Sequence, residues 1–171
     1  MASEVLQKTR KINKTLQTSG GSNVSFDLLA GALGEVLNSN VYVLSFKGKV
    51  LGLHLNDAKD SSVIEDDITK QKKFPDEYNR NVLKIKDTLD NLTGEELLEV
   101  FPFEQDRTEK KTTIVPILGS GQRLGTLVLS RYDNEYEDED LVIAEYSATV
   151  IGLEILRAIS EELEEEMRKK A

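Results

Sequence analysis

The chain has 171 residues, of which 39% are hydrophobic and 31% are charged, and it contains no cysteine. A chain of this length folds as one domain and buries roughly 70% of its unfolded surface, so we expect a full hydrophobic core. The lack of cysteine excludes disulfide frameworks, cysteine-ligated zinc, thiol peroxidase or reductase chemistry and thioether attachment of a chromophore.

The formal net charge of −9 is unevenly distributed. Acidic and basic residues balance over residues 1–131, whereas residues 132–171 carry the whole excess of acids. Such a surface repels phosphate backbones, so we expect the chain by itself to bind nucleic acid poorly. No apolar run approaches the roughly 18 residues of a membrane span, and the polar amino terminus lacks a signal-peptide core. These features predict a soluble cytoplasmic protein that makes no membrane contact.

The first part of the chain predicts two amphipathic helices. Apolar residues recur at a loose helical spacing over residues 5–16, and Gly20-Gly21 ends that run. Ser25 or Asp27 can cap a second helix, whose broad apolar stripe over residues 26–37 should face the core.

A hairpin and two short helices are predicted next. Alternating residues over 41–55 indicate two strands that turn at Lys47-Gly48. Two short helices follow over residues 60–83, and Phe74-Pro75 separates them because proline cannot continue a helix.

The segment 88–96 is polar and predicts a loop or a helical turn, and 97–103 predicts an edge or irregular strand. Residues 112–129 predict a second hairpin around Gly119-Ser120-Gly121. Pro116 lacks a backbone donor, which favours a position near the sheet edge.

A long helix is predicted from Asp138 or Asp140 to Lys170, because acids crowd its start and bases its end. Apolar residues step along it by three or four positions and form one seam that needs a partner helix, and these residues are Gly152, Leu156, Ile159, Leu163 and Met167. The helix should connect to a second copy or to a further domain.

Three features receive ordinary structural roles. His54 lies on a strand without a nearby second histidine or acid cluster, so catalysis and metal ligation are unsupported. The glycines of Gly119–Gly125 suit a hairpin turn better than a phosphate loop, because a strand rather than a helix follows. The acids of Asp133–Asp140 lack the ligand order of an EF-hand and predict a helix cap. We therefore expect no catalytic residue, no metal ligand and no enzyme.

Two proline-stiffened aromatic segments are less ordinary. Phe74-Pro75-Asp76-Glu77-Tyr78 and Val100-Phe101-Pro102-Phe103 hold four of the ten phenylalanines and tyrosines. Aromatic rings on a rigid backbone can wall a small apolar pocket. Core packing under a loop explains them almost as well, so both interpretations stay open at this point.

Several strings together carry a family resemblance, and they are Gln7–Arg10, Phe74–Tyr78, Phe101-Pro102, Thr112–Ile117, Gly121–Leu127, Asp140-Leu141 and Ala144–Arg157. In this order and spacing they resemble the amino-terminal part of CodY, a family of global transcriptional regulators of Gram-positive bacteria. The resemblance covers nearly the whole chain. It implies an α+β GAF-type domain over residues 1–155, with an antiparallel sheet flanked by helices. Residues 156–171 would be the end of a long carboxy-terminal linker helix.

The resemblance also implies a ligand and partners. The family's GAF domain binds a branched-chain amino acid, with isoleucine as our first choice over valine and leucine, and GTP is a second effector whose site this sequence does not locate. The resemblance implies a homodimer that contacts DNA only through a winged helix-turn-helix domain absent from this chain. The alternative is a dimerisation module that binds no ligand. A methionine sulfoxide reductase, as some GAF domains are, would need cysteines.

Positions carried over from the family give a candidate site. Ile68, Phe74, Pro75 and Tyr78 would line the pocket for the ligand's side chain. A second segment would supply a wall and backbone carbonyls for the ammonium group, and it contains Glu99, Phe101, Pro102 and Phe103.

The ligand carboxylate needs a new partner here, because the family's arginine falls on Val63 or Ile64. A buried carboxylate without a partner costs several kcal/mol, more than the roughly 1.5 to 3 kcal/mol gained by burying an aliphatic side chain. Our hypothesis is that backbone amides of Ser61, Ser62 and Val63, at a helix start, receive the carboxylate.

Overall fold

The computed structural model describes residues 3–18, 25–56, 63–104 and 109–170, without the side chains of residues 63–66. These residues form six helices and five strands. In order they are α1 (Glu4–Thr18), α2 (Phe26–Leu37), β1 (Asn40–Ser45), β2 (Val50–His54), α3 (Val63–Gln71), α4 (Asp76–Leu83), β3 (Leu89–Leu92), α5 (Gly94–Val100), β4 (Lys111–Gly119), β5 (Gln122–Arg131) and α6 (Asp138–Lys170).

The five strands form one antiparallel sheet in the order β2-β1-β5-β4-β3. Helices cover both faces of this sheet, so the expected α+β architecture with an antiparallel sheet and a long final helix is confirmed. None of the helices among the described residues is long and apolar enough to cross a membrane.

Strand alternation divides the buried side chains into two cores. Val41 and Val43 of β1 point to the face covered by α1, α2 and α6, which we call the α6-side core. Tyr42 and Leu44 point to the opposite face, covered by α3, α4 and α5, which we call the α4-side core. The same alternation holds along β4 and β5, so each strand contributes to both cores.

The two predicted hairpins and the predicted Ser25 cap are confirmed. β1 pairs with β2, and β4 pairs with β5 through a two-residue turn at Ser120-Gly121, whose φ angles are 52° and 74°. Positive φ at both positions is typical of a tight hairpin turn and explains the glycine. Ser25 caps α2 by accepting a hydrogen bond from the Leu28 amide at 3.3 Å.

Two segment predictions are wrong. Residues 97–103 form no strand, because α5 (Gly94–Val100) occupies most of the segment and a turn follows. Residues 88–96 are not simply a loop, because β3 (Leu89–Leu92) pairs there with β4. Pro116 lies on β4, which is second from the edge of the sheet. The edge strand β3 pairs with β4 only at Thr112 and Ile114, so no β3 residue pairs with Pro116.

Helix α6 has 33 residues, which corresponds to about 50 Å. Its first half packs on β4, where a Cβ atom on Gly152 would lie 2.8 Å from the carbonyl oxygen of Leu118. The predicted seam is therefore divided: Gly152 is buried against the sheet, whereas Ile159, Leu163 and Met167 are exposed.

Candidate functional site

Aromatic rings of the α4-side core gather where both proline-stiffened segments meet the sheet. The centroid of Phe74 lies 5.3 Å from that of Tyr42 and 6.1 Å from those of Tyr78 and Phe101. Tyr78 and Phe101 are closer, at 4.9 Å, and Phe103 stacks on Tyr78 at 5.5 Å. These edge-to-face and stacked arrangements are the favourable ones for aromatic pairs.

Backbone and amide hydrogen bonds fix this cluster. The amide of Phe74 donates to the carbonyl of Gly48 at 2.9 Å, which ties the chain to the β1–β2 turn. The side-chain amide of Asn79 on α4 donates to the carbonyl of Phe46 at 3.0 Å in the same turn. The side-chain amide of Asn81 donates to the carbonyl of Val100 at 2.9 Å, which joins α4 to α5. The aromatic walls therefore come from elements that are held to one another.

The cluster encloses a cavity of about 20 Å³. Its apolar walls are Tyr42, Ile68, Phe74, Tyr78, Leu97, Phe101 and Val128, and its polar walls are Glu104, Lys110, Thr112 and Ser130. A space of this size holds about one water molecule, so a larger ligand enters only if the walls move apart.

The polar walls all lie at one end of the sheet. Lys110 directly precedes β4, Thr112 on β4 pairs with Ser130 on β5, and Glu104 follows α5. Nζ of Lys110 lies 3.7 Å from Oε1 of Glu104, and these side chains are only 6% and 9% exposed. The buried hydroxyl of Thr112 makes no hydrogen bond to the described residues. The cavity is therefore amphipathic, with charge at one end and aromatic rings at the other.

The structure brings together four of the residues expected from the sequence, namely Ile68, Phe74, Tyr78 and Phe101. Pro75 is half-buried and precedes α4 with a φ of −52°, beside the cavity wall but outside its lining. The side chains of Glu99, Pro102 and Phe103 are exposed and lie outside the cavity lining, and the Phe103 ring stacks on Tyr78.

The predicted carboxylate site falls mostly outside the described residues. Ser61 and Ser62 precede the first described residue of α3, and Val63 and Ile64 are described by their backbone alone. The hypothesis that these amides bind a carboxylate stays a prediction.

Sequence reasoning missed the polar end and part of the apolar wall. Tyr42, Val128, Thr112 and Ser130 come from three strands, and they meet because β5 lies between β1 and β4. Strand alternation shows which residues of one strand share a face with Tyr42 or with Thr112. Only the order and pairing of the strands shows that Tyr42 and Thr112 lie on the same face of the sheet. The sequence did not indicate that Lys110 is buried at the cavity, because a lysine in a highly charged chain is usually exposed to solvent.

Comparisons with known proteins identify the family. The family model described as the CodY GAF-like domain matches residues 4–171. The chain is 47% identical to a global transcriptional regulator CodY from Clostridium kluyveri over 99% of its length, and 46% identical to one from Lysinibacillus sphaericus over 98%.

The chain belongs to the CodY family. It spans 66% and 65% of the length of these two relatives. It is also similar to a solved structure, the cofactor-binding GAF domain of the nutrient sensor CodY from Clostridium difficile. That match has 79% identity and a TM-score of 0.70, and it covers 91% of this chain and 99% of the other.

More distant structures agree on the fold alone. The GAF domain of a phosphoenolpyruvate-protein phosphotransferase from Coxiella burnetii matches with a TM-score of 0.61 at 14% identity, over 94% of this chain and 97% of the other. The GAF fold expected from the sequence is therefore confirmed by both near and distant matches.

Proposed function

We propose that this CodY-family chain is the effector-sensing domain of a nutrient-responsive transcriptional regulator and that it binds a branched-chain amino acid. The observation that carries the proposal is the amphipathic cavity, whose aromatic end suits an aliphatic side chain and whose charged end suits a zwitterion. A solved relative described as a cofactor-binding nutrient sensor supports it. Isoleucine is the preferred ligand, ahead of valine and leucine.

Binding has to open the cavity. An isoleucine side chain cannot fit into about 20 Å³, so Phe74, Tyr78 and Phe101 must move apart to admit it. Burying that side chain contributes roughly 1.5 to 3 kcal/mol to the free energy of binding. Contacts with the charged head group supply the remainder that a micromolar to millimolar Kd requires. Since ligand-free and bound chains then differ in shape, the ligand shifts a conformational equilibrium, as a sensor requires.

The sheet gives a route from the cavity to α6. Thr112 and Val128 line the cavity, while Val115 and Leu129 on the same two strands pack in the α6-side core. We assign residues 1–155 to the GAF domain and residues 156–171 to the linker, whose position the ligand would bias. In the complete cytoplasmic regulator, DNA would be bound by a separate winged helix-turn-helix domain, with GTP as second effector. The chain itself is not an enzyme in this proposal.

Thermal melts with and without ligand test the proposal, because a ligand that binds only the native state must stabilise it. Isoleucine at millimolar concentration should raise the melting temperature by several degrees, valine and leucine by less, and D-isoleucine hardly at all. No shift with any of the three would reject ligand sensing.

A second candidate is a dimerisation module that binds no effector. It is favoured by three large apolar side chains in the second half of α6, Ile159, Leu163 and Met167, which are between 46% and 72% exposed. Dimerisation through α6 is itself compatible with sensing, since a homodimer of sensing domains would use both surfaces, so the two candidates differ only in whether the cavity binds an effector. Only the melts decide whether the cavity has a ligand.

A further inference from the structure

One side chain ties the end of α4 to the β4–β5 hairpin. Arg123 follows the hairpin turn, and its guanidinium donates to the carbonyls of Ile85 at 2.6 Å and Val82 at 3.1 Å, where α4 ends. These carbonyls lie at the negative end of the helix dipole, so the guanidinium is attracted as well as hydrogen-bonded. Its Nε donates to the Gly125 carbonyl on β5 at 2.6 Å, which fixes the plane of the group. A displacement of α4 therefore acts on the start of β5.

The same end of the hairpin contacts α6. A Cβ atom on Gly119 would lie 2.7 Å from Cδ1 of Leu124 and 2.9 Å from Cδ1 of Leu156, so both leucines reach over this glycine. Leu156 is half-buried, and every later residue of α6 is exposed except the half-buried Glu161. Leu156 is therefore the last apolar side chain by which α6 is packed on the domain.

Residues 118–124, which we call the hairpin end, project beyond the neighbouring strands. Within the described sheet, β3 pairs with β4 no further than Ile114, and β1 pairs with β5 only from Gly125 onward. The β4–β5 pairing itself shifts register between Ile117 and Leu118, and such an irregularity bends a strand locally. The hairpin end is therefore held by fewer strand pairings than the rest of β4 and β5, so it can move without disrupting the sheet.

Resting on the proposed function, we propose that the hairpin end carries the effect of ligand binding from the cavity to the linker, with Arg123 as the positioning residue. Tyr78 in the cavity wall and Val82 lie one turn apart on α4, so a shift that admits the ligand also moves the carbonyls that Arg123 holds. Arg123 passes this shift to the hairpin end, and Leu156 follows because it packs there. The ligand thereby biases the direction in which the linker leaves the domain.

The length of the exposed helix enlarges a small shift. Helix α6 is fixed at Gly152, where a Cβ atom would lie 2.8 Å from the Leu118 carbonyl oxygen. Leu156 lies about 6 Å further along the helix axis, and Lys170 lies about 21 Å beyond Leu156. If Gly152 stays in place, a shift of about 1 Å at Leu156 moves the end of α6 by about 4 to 5 Å. A small change at the cavity thus becomes a large change at the end of the linker.

Amide hydrogen exchange with and without isoleucine tests the assignment, because it measures each segment of the chain separately. In wild type, isoleucine should slow exchange in α4 and change it at residues 153–162 of α6. Arg123→Lys keeps the charge but cannot hold both elements, so the difference at residues 153–162 should be lost while the slowing in α4 remains. Leu156→Ala removes the contact from the α6 side and should have the same effect. Gln122→Ala, at an exposed position of the same turn, is the matched control and should behave as wild type.

A purely structural role for Arg123 gives a different result. A chain that is only destabilised exchanges faster with and without isoleucine, but it keeps the ligand-dependent difference in α6. A difference of wild-type size in either variant overturns the assignment, and so does its loss in Gln122→Ala. Isoleucine that slows α4 of wild type without changing α6 also overturns it, whereas isoleucine that slows no segment rejects the proposed function itself. Should Arg123→Lys not fold, Leu156→Ala decides alone.

Discussion

At the scale of single residues, Arg123 connects the second hairpin to α4. Its guanidinium donates to the carbonyls of Ile85 at 2.6 Å and Val82 at 3.1 Å, just where α4 ends. It also donates to the Gly125 carbonyl and to the Thr126 hydroxyl. Burial lowers the pKa of Arg123 from its usual value, but a guanidinium stays protonated in proteins, so these contacts persist at neutral pH.

Arg123→Ala should lower the free energy of unfolding by about 2 kcal/mol or more, because several acceptors lose a charged donor at once. Arg123→Lys should recover only part of this, since one ammonium group cannot reach acceptors spread over two elements. Urea denaturation measures the effect. Arg80→Ala is the control on the exposed side of α4, and an equal loss there would refute the role given to Arg123.

Two buried threonines should respond oppositely to the same substitution. The Thr112 hydroxyl makes no hydrogen bond to the described residues, so Thr112→Val should leave stability unchanged or raise it by about 1 kcal/mol. Thr126 accepts a hydrogen bond from Arg123 at 3.0 Å, so Thr126→Val should cost about 1 kcal/mol or more.

Isoleucine titration completes the comparison of the two threonines. Thr112→Val should weaken binding about fivefold, whereas Thr126→Val, outside the cavity lining, should not. A more stable chain that binds isoleucine as well as wild type would mean that the Thr112 hydroxyl does not serve the ligand.

At the scale of elements, periodicity predicts the long helices and both hairpins correctly, because each depends on its own residues. The strand prediction for residues 97–103 is wrong for a local reason. Phe101 and its neighbours look like an apolar strand interrupted by proline, but Leu97, Val100 and Phe101 also stand at helical spacing. A helix of seven residues leaves little pattern to recognise. β3 was missed because its polar residues Asp90 and Asn91 become a strand only by pairing with β4.

The docking of α6 on β4 gives a prediction about Gly152. Replacing glycine by alanine stabilises an isolated helix by about 1 kcal/mol. At Gly152, however, the added Cβ would lie 2.8 Å from the Leu118 carbonyl oxygen. Because that oxygen belongs to the backbone of a sheet strand, the helix has to move away. Gly152→Ala should therefore cost about 1 to 3 kcal/mol in thermal or urea unfolding.

Ser160→Ala is the control for this effect, at an exposed position of the same helix. It should change stability by less than about 0.5 kcal/mol, in the stabilising direction. A stabilised Gly152→Ala chain would show that α6 is not tightly docked at this point.

At the scale of the whole molecule, the candidate site could be predicted only in part. The apolar half lies in segments whose aromatic residues and prolines stand out in the sequence, such as Phe74 to Tyr78. The polar half joins Glu104, Lys110, Thr112 and Ser130, which meet through strand order and through the path from α5 to β4. No local pattern marks residues that depend on such long-range pairing.

The exposed seam of α6 should hold two copies of the chain together. Leu163→Ser/Met167→Ser should shift the protein from dimer to monomer in sedimentation velocity, because the seam loses its largest apolar groups. Its unfolding in urea as a monomer should hardly change, since both side chains are exposed. Glu161→Ser/Glu165→Ser, on the opposite face of α6, is the control and should leave the dimer intact. A dimer that survives the seam variant would have another interface.

The central pairing of the sheet also has a kinetic consequence. Asn40 of β1 pairs with Ser130 of β5, so strands about 90 residues apart in sequence lie side by side, whereas each hairpin joins near neighbours. Closing so long a loop is entropically expensive before the contacts form, and chains rich in such pairings fold in milliseconds to seconds. The hairpins β1–β2 and β4–β5 should therefore form first, and the β1–β5 pairing that joins them should form later. A ribosome must have released residue 131 before this domain can complete its sheet.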